Sequence, residues 1–107
     1  MKVAITSSGD SVSAKLDSRF GRCAYFVIYD TETGAMEIAP NPNKDSVEGA
    51  GTASVQLVAS KGAKKVVSGE FGAKVKNLFD SLQIQLVVLK DPDTTVEGVI
   101  KMLGIER

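Results

Sequence analysis

The first part of the chain carries a pattern that predicts β-structure. Val3 and Ile5 alternate with other residues near the start, as in a short strand. A later run is β-branched and aromatic, and residues 30–34 have the turn-forming composition that joins the two strands of a hairpin. The pattern therefore predicts an initial strand and a hairpin, with strands over residues 2–6, 24–29 and 35–39.

The hydrophobic period changes after residues 40–45, whose prolines predict a loop. Apolar residues from Ala50 to Val58 recur at helical spacing, and Gly62 stands where a helix typically ends. Two more stripes follow at the same spacing, the second behind Thr94-Thr95-Val96-Glu97, which fits a capping box. The predicted elements are helices over residues 50–61, 75–82 and 96–103 and strands over residues 65–68 and 84–89, the last strand being buried.

These elements predict a single α/β domain over residues 1–107. Strands joined through a helix in one sheet run parallel. We therefore expect a mixed five-stranded sheet. The second and third strands would lie on one side of the first, and the fourth and fifth would run parallel to it on the other. The loops after the first, fourth and fifth strands then open at one edge, where open α/β sheets bind ligands.

Composition excludes several protein classes. The chain is 43% hydrophobic and 24% charged, which excludes intrinsic disorder, and no apolar run approaches the ~18 residues of a membrane span. Its 13 basic and 13 acidic residues balance, so no net field attracts nucleic acid or an anionic membrane. The one cysteine, Cys23, cannot form an intrachain disulfide, which is typical of reducing compartments. We expect a cytoplasmic protein without nucleic-acid or membrane partners.

The chain contains no histidine, the usual acid and base near neutral pH and the commonest metal ligand. Ser-His-Asp and Cys-His catalytic sites are therefore excluded, as are zinc sites of the Cys/His type within one subunit. A two-metal nuclease needs converging carboxylates, and the first strand, residues 2–6, has none. The sequence therefore argues against these classes of catalytic site.

Three glycine-bearing segments are predicted to lie at the ligand edge of the sheet, at residues 7–10, 49–52 and 69–72. The last two precede helices, whose free N–H groups favour an anion, and glycine lets that anion approach the backbone. The alternative is that these glycines only form turns. Glu70 is either a site carboxylate or a charge at a helix N-terminus. The spacing matches neither a P-loop nor a dinucleotide fingerprint, which argues against a nucleotide-dependent enzyme.

Residues 19–23 combine two arginines, an aromatic residue, a glycine and the cysteine. Guanidinium groups suit anionic oxygens, and a nearby cation lowers the pKa of a thiol, so Cys23 is a candidate metal ligand. The alternative for Cys23 is a small apolar side chain in the core. Arg19 and Arg22 are either anion-binding groups or solvated surface residues, and Phe20 either packs or offers a face for stacking.

Four segments carry a family resemblance: residues 3–7, 18–26, 49–62 and 69–72, with Phe-Gly-x-x-x-Tyr-Phe as the most specific piece. They resemble the dinitrogenase iron-molybdenum cofactor biosynthesis family over nearly the whole chain. The resemblance implies a ribonuclease H-like fold of three layers. It also implies a non-catalytic, nitrogen-fixation-related protein that binds or carries an iron-sulfur or iron-molybdenum cluster or its precursor. Many members have histidine directly before Phe-Gly, where this chain has Arg19.

The resemblance implies a ligand site at the loop edge of the sheet. With Glu70 added for its place after a strand, the candidate cofactor-binding residues are Ser7, Ser8, Arg19, Phe20, Gly21, Gly49, Gly51 and Glu70, and the candidate metal ligand is Cys23. One cysteine cannot hold a four-cysteine cluster. A homodimer has two thiolates, however, and arginine and backbone N–H groups can retain an anionic cluster. We expect a monomer or homodimer with a cluster donor or acceptor protein as partner.

A metal-free function is the alternative interpretation. The same edge would then bind a protein partner or an anionic metabolite. Iron-sulfur reconstitution separates the two interpretations, because a metal-free module stays colourless after desalting.

Overall fold

A computed structural model describes residues 1–46 and 49–105 of the chain. Strands and helices follow one another as the hydrophobic pattern predicts. Among the described residues, no helix has the length and apolar character needed to cross a membrane. In chain order the elements are β1 (Lys2–Ser7), β2 (Tyr25–Asp30), β3 (Met36–Pro40), α1 (Ala50–Ser60), β4 (Ala63–Ser68), α2 (Ala73–Ser81), β5 (Gln85–Val88) and α3 (Val96–Ile105).

The strands form one mixed sheet in the order β3-β2-β1-β4-β5. Strand β1 is antiparallel to β2, with Val3 opposite Tyr29, and parallel to β4, with Ile5 opposite Val67. Strand β3 is antiparallel to β2, and β5 is parallel to β4. The predicted α/β class and strand order are confirmed. The carboxyl ends of β1, β4 and β5 meet at one side of the sheet, which we call the loop edge.

Different helices cover the two faces of the sheet. Side chains of a strand alternate between faces, so Ala4 packs in a core with α1 and α2, whereas Val3 and Ile5 pack in a second core with α3. The first core includes the fully buried Phe26 and Phe79, and the second includes Val99. The result is a three-layer arrangement of helices, sheet and helix.

Strand β5 differs from its prediction as a buried strand. It lies at the outer edge of the sheet, and Val88 is 45% exposed. A short apolar run suits a central strand and an edge strand equally well, and topology decides between them. The strand is also shorter than predicted, with pairing to β4 limited to Gln85–Val88.

The start of α3 differs from the predicted capping box. Thr95 precedes the helix, and its Oγ1 accepts a hydrogen bond from the Gly98 N–H at 3.1 Å. The N–H groups of Val96 and Glu97 donate to carbonyl oxygens of the loop between β1 and β2, at 3.0 and 2.8 Å. A tertiary contact thus replaces the reciprocal Thr94–Glu97 bond of a capping box.

Candidate functional site

The loop between β1 and β2, residues 8–24, runs across the loop edge and is fixed there at Asp17. The Asp17 N–H donates to the Thr6 carbonyl at 3.0 Å. The hydroxyls of Thr6 and Ser68, both fully buried, donate to the Asp17 carbonyl at 2.7 and 3.3 Å. These hydrogen bonds join the loop to the ends of β1 and β4. They fix the position of Asp17, from which the chain continues to Arg19.

Arg19 follows this anchor and extends into solvent. Its backbone N–H donates to Asp17 Oδ1 at 2.9 Å, and its Nε lies 3.6 Å from the same oxygen. The Arg19 side chain is 61% exposed, and its two terminal nitrogens have no partner within the described part of the chain. Asp17 therefore orients the base of the guanidinium while leaving its outer N–H groups available to a ligand.

Two glycines let the loop lie directly on the first turn of α1. Gly21 has a φ of 95°, and a Cβ there would lie 3.1 Å from the Cα of Gly51. A Cβ on Gly51 would in turn lie 2.8 Å from Cγ2 of Val75, in the first turn of α2. The Phe20 N–H also donates to the Glu70 carbonyl at 3.4 Å, just before α2. Residues 19–23, which we call the Arg19 segment, thus lie against the starts of both α1 and α2.

The N-termini of α1 and α2 keep their positive character. Helix α1 begins after Gly49, which is exposed and has a φ of 76°, and α2 begins after Gly72. Neither helix has a side-chain cap or an acidic residue in its first turn. Uncapped N–H groups and the helix dipole favour an anion at this point. That these two N-termini face a ligand site stays a prediction from the sequence.

A cleft of about 200 Å³ opens between the loops that follow β4 and β5, and Ser18, the residue before Arg19, is part of its lining. Drug-sized ligands occupy about 300–1,000 Å³, so this cleft suits a more compact group. Lys90 supplies a cation there, and Glu70 and Asp91 supply carboxylates. The floor is close-packed, because a Cβ on Gly69 would lie 2.5 Å from the Ser18 Cα. The lining residues are Leu16, Ser18, Gly69, Glu70, Leu89, Lys90, Asp91 and Pro92.

The candidate metal ligand Cys23 is fully buried in the core between the sheet and α1 and α2. Burial, and next the negative charge of Asp17, raise its pKa from 9.0 to about 12. The expectation that neighbouring arginines lower the thiol pKa is therefore wrong, because burial of the thiol dominates and the charge that adds to its effect is the Asp17 carboxylate. The placement favours the alternative interpretation, in which Cys23 is a core side chain.

The second arginine, Arg22, donates hydrogen bonds to the backbone of the loop after β3. Arg22 Nη1 donates to the Lys44 carbonyl at 3.3 Å and also to the Ser46 carbonyl. Asn41, which is buried, donates through Nδ2 to the carbonyls of Gly21 and Cys23 at 3.0 and 2.9 Å. These bonds clamp the loop after β3 onto the Arg19 segment, so Arg22 serves the loop rather than an exposed ligand.

The other predicted site residues lie around this centre in different roles. Phe20 packs against three aromatic rings, with centroid distances of 5.6, 5.5 and 5.2 Å to Phe26, Phe71 and Phe79. Its packing interpretation therefore fits better than stacking on a ligand. The Ser7 and Ser8 hydroxyls donate within the loop itself, to the carbonyls of Gly9 and Lys15 at 2.6 and 2.9 Å.

Sequence reasoning missed Asp17 and Asn41. Asp17 bonds the backbone two residues later, as short polar side chains do in turns, and Asn41 stands between Pro40 and Pro42, where a loop is expected to need side-chain support. Composition predicted a loop at residues 40–45, but it did not indicate which loops Asp17 and Asn41 would join. In the described ranges, His, Cys, Asp and Glu form no group of three or more that could hold a metal ion.

Comparison with known proteins finds relatives in sequence and in structure that each cover almost the whole chain. An uncharacterized protein of Methanocaldococcus jannaschii is 30% identical over 105 residues, or 95% of this chain and 84% of that protein. The apo form of the orange protein from Desulfovibrio gigas has a TM-score of 0.86 at 29% identity, covering 94% of this chain and 83% of that one. A NifB-like protein from Thermotoga has a TM-score of 0.80 at 31% identity, covering 94% and 84%.

The family match spans nearly the whole chain. It covers residues 1–104, including the Arg19 segment, both glycine-initiated helices and the cleft. The chain belongs to the dinitrogenase iron-molybdenum cofactor family.

Proposed function

We propose that this protein is a non-catalytic carrier that holds a compact, anionic metal-sulfur cluster or its precursor at the loop edge. The observation that carries the proposal is the exposed guanidinium of Arg19 on a loop that is pinned beside a cleft and two uncapped helix N-termini. Family membership supports a cluster of the iron-molybdenum or iron-sulfur type as the cargo. The orange protein is described in an apo form, which implies a ligand-bound form of that relative.

The cluster would be held without a bond from the protein to its metals. Cys23 is buried and its pKa is raised to about 12, and the described residues form no group of three or more His, Cys, Asp and Glu that could hold a metal ion. Arg19 and Lys90 would instead donate charge-assisted hydrogen bonds to sulfide or oxo groups of the cargo. Gly49, which is exposed and has open space around it, would give those groups access to the backbone N–H groups at the start of α1, whereas Gly51 serves the close packing of the loop and α2.

Such binding suits a carrier, because a cargo without protein ligands can be transferred intact. We infer a cluster donor and a cluster acceptor protein as partners, and a cytoplasmic location. Glu70 and Asp91 would limit the affinity by repelling the anion, which also favours release.

Binding of an anionic metabolite or a protein at the same edge, without metal, is the second candidate. It is favoured by one observation, the lack of a metal-ligand group among the described residues. Both candidates use Arg19, so they are separated by the nature of the bound group.

Anaerobic reconstitution tests the first candidate. The protein is incubated with iron and sulfide, or with tetrathiomolybdate, and desalted, and bound metal, sulfide and visible absorbance are measured. We expect near-stoichiometric retention by the parent. A protein that stays colourless and metal-free with both probes refutes the cluster function and favours the second candidate.

The Arg19→Ala variant tests the site. We expect binding to weaken by about 1.5–3 kcal/mol, the range for hydrogen bonds to charged groups, and added salt to reproduce part of the loss. Lys64→Ala is the control, since Lys64 is exposed near the start of β4, away from the loop edge. If both variants bind as the parent does at low salt, Arg19 is not part of the site.

Arg19→His tests the absence of a metal–protein bond. Imidazole can ligate a metal only when neutral, so this variant should bind ferrous iron or a cluster more tightly, and more so at pH 8 than at pH 6, near the ordinary histidine pKa of about 6.5. The parent should show no such pH dependence in that range. Titration of both proteins at the two pH values gives the comparison.

A further inference from the structure

The outer edge of β5 lacks the features that protect edge strands from pairing. The strand is Gln85-Leu86-Val87-Val88, without proline and without charge. The opposite edge, β3, contains Glu37, paired with Lys61 at 2.5 Å, and ends at Pro40. Charge and proline are the usual means of keeping an edge strand from pairing with another chain. The β5 edge is therefore open to a further strand.

An apolar groove runs along this open edge, between β5 and α2. Its volume is about 530 Å³. Val88 is 45% exposed at its rim, and Leu82, at the end of α2, is 47% exposed. The lining residues are Phe71, Lys76, Asn77, Asp80, Ile84, Gln85, Leu86 and Val88.

The charges on the groove wall are self-complementary. Lys76 and Asp80 are both exposed on the outer side of α2, and neither has an ion-pair partner within the described part of the chain. Helix α2 runs antiparallel to β5, and the short connection at residues 82–84 places its C-terminal end beside the start of the strand. A two-fold axis between two paired β5 strands, at the level of their midpoints, would therefore bring Lys76 of each copy opposite Asp80 of the other. The symmetry forms two such pairs.

We propose that the occupant of this edge is a second copy of the chain, with β5 pairing antiparallel to β5 across a two-fold axis. Two five-stranded sheets then become one continuous sheet, the two grooves cover each other, and the exposed Val88 side chains are buried. The balanced charge of the groove favours a second copy over a strongly charged partner. The antiparallel pairing points the two loop edges in opposite directions, so each copy keeps its own cargo site.

Charge reversal tests the geometry, with sedimentation velocity over a range of protein concentrations as the readout. Asp80→Lys and Lys76→Asp should each raise the dimer dissociation constant by about tenfold or more, because both symmetric contacts become repulsive. The double variant Lys76→Asp/Asp80→Lys should restore dimers, since it exchanges the charges without changing their complementarity. A mixture of the two single variants should form the heterodimer.

A strand-edge variant tests the pairing itself. Val88→Lys places a charge on the open edge and should yield monomers. Met36→Lys is the matched control, because Met36 is similarly exposed, at 46%, on the opposite edge strand. Circular dichroism and melting curves confirm that each variant is folded. A parent that is monomeric at all concentrations, or a dimer that none of the β5 and α2 variants weakens, overturns the proposal.

Discussion

The buried thiol of Cys23 offers a sensitive test of how the loop edge is built. Its pKa is about 12 instead of 9.0, because the side chain is buried and Asp17 lies near. At pH 8 an ordinary thiol is about one-tenth ionised, whereas Cys23 would be ionised to about one part in 10⁴. Since only the thiolate reacts, we expect a thiol reagent to label the native protein at least about a thousandfold more slowly than the urea-unfolded chain.

The same shift predicts how stability depends on pH. The folded state prefers the protonated thiol, so the contribution is fully present below pH 9.0 and is lost as the pH rises toward about 12. Each unit in that window removes about 1.4 kcal/mol of the free energy of unfolding. Cys23→Ala removes this titration and leaves a small cavity that costs about 1–2 kcal/mol near neutral pH. Its stability deficit relative to the parent should therefore shrink above pH 9.0.

Urea unfolding of the parent and Cys23→Ala at several pH values provides the measurement, because lysine and tyrosine titrations are common to both proteins and cancel in the difference. Retention of a reconstituted cluster should be the same in the two proteins. Rapid labelling of the native thiol, or a stability difference that does not change with pH, would refute the burial argument. Loss of metal from a folded Cys23→Ala variant would show that the cysteine is a ligand after all.

Three further predictions concern the residues that shape the loops. Gly69→Ala should destabilise the protein by about 1–3 kcal/mol and weaken anion binding, because its Cβ would collide with the loop backbone, whereas Gly72→Ala meets open space and should be nearly neutral in melting experiments. Asn41→Ala leaves two buried loop carbonyls without donors and should cost about 1–3 kcal/mol in urea unfolding. Asp30 has a lowered pKa, mainly through the Glu32 N–H, so its stabilising effect is present above pH 3.8 and disappears as the pH falls through the lowered value. The acid melting curve of Asp30→Asn should lack that component.

The sheet could be predicted because two simple rules fix its topology. The change of hydrophobic period near residue 50 separates the hairpin from the alternating helices and strands, and the crossover rule then makes β4 and β5 parallel to β1. The burial of β5 could not be predicted in this way. Its apolar run does not indicate whether the strand is central or at the edge of the sheet. The strand is exposed because it is the last in the sheet order.

The candidate site could be predicted only in outline. Glycines before α1 and α2 and the arginine at position 19 are visible in the sequence, and the structure brings them together. The pKa of Cys23 depends first on its burial in the core and then on the charge of Asp17. The role of Arg22 depends on the carbonyls of Lys44 and Ser46, which lie 22 and 24 residues further along the chain. Local composition suggested that arginine would act on the thiol, and the fold places a carboxylate there instead.

The two halves of the β1–β2 loop contact different helices, which explains why an anion site would form at one part of the loop edge. All three helices begin near that edge, since each follows a strand or hairpin that ends there. The first half of the loop gives its carbonyls to the N–H groups of α3, which leaves that terminus satisfied. The second half is held by Asp17 and places Arg19 near α1 and α2, whose first turns have no side-chain cap. One continuous segment thus supplies acceptors to one helix terminus and places a positive charge near the other two. Hydrogen bonds hold both halves of the segment in place, so little ordering would be required when an anion binds.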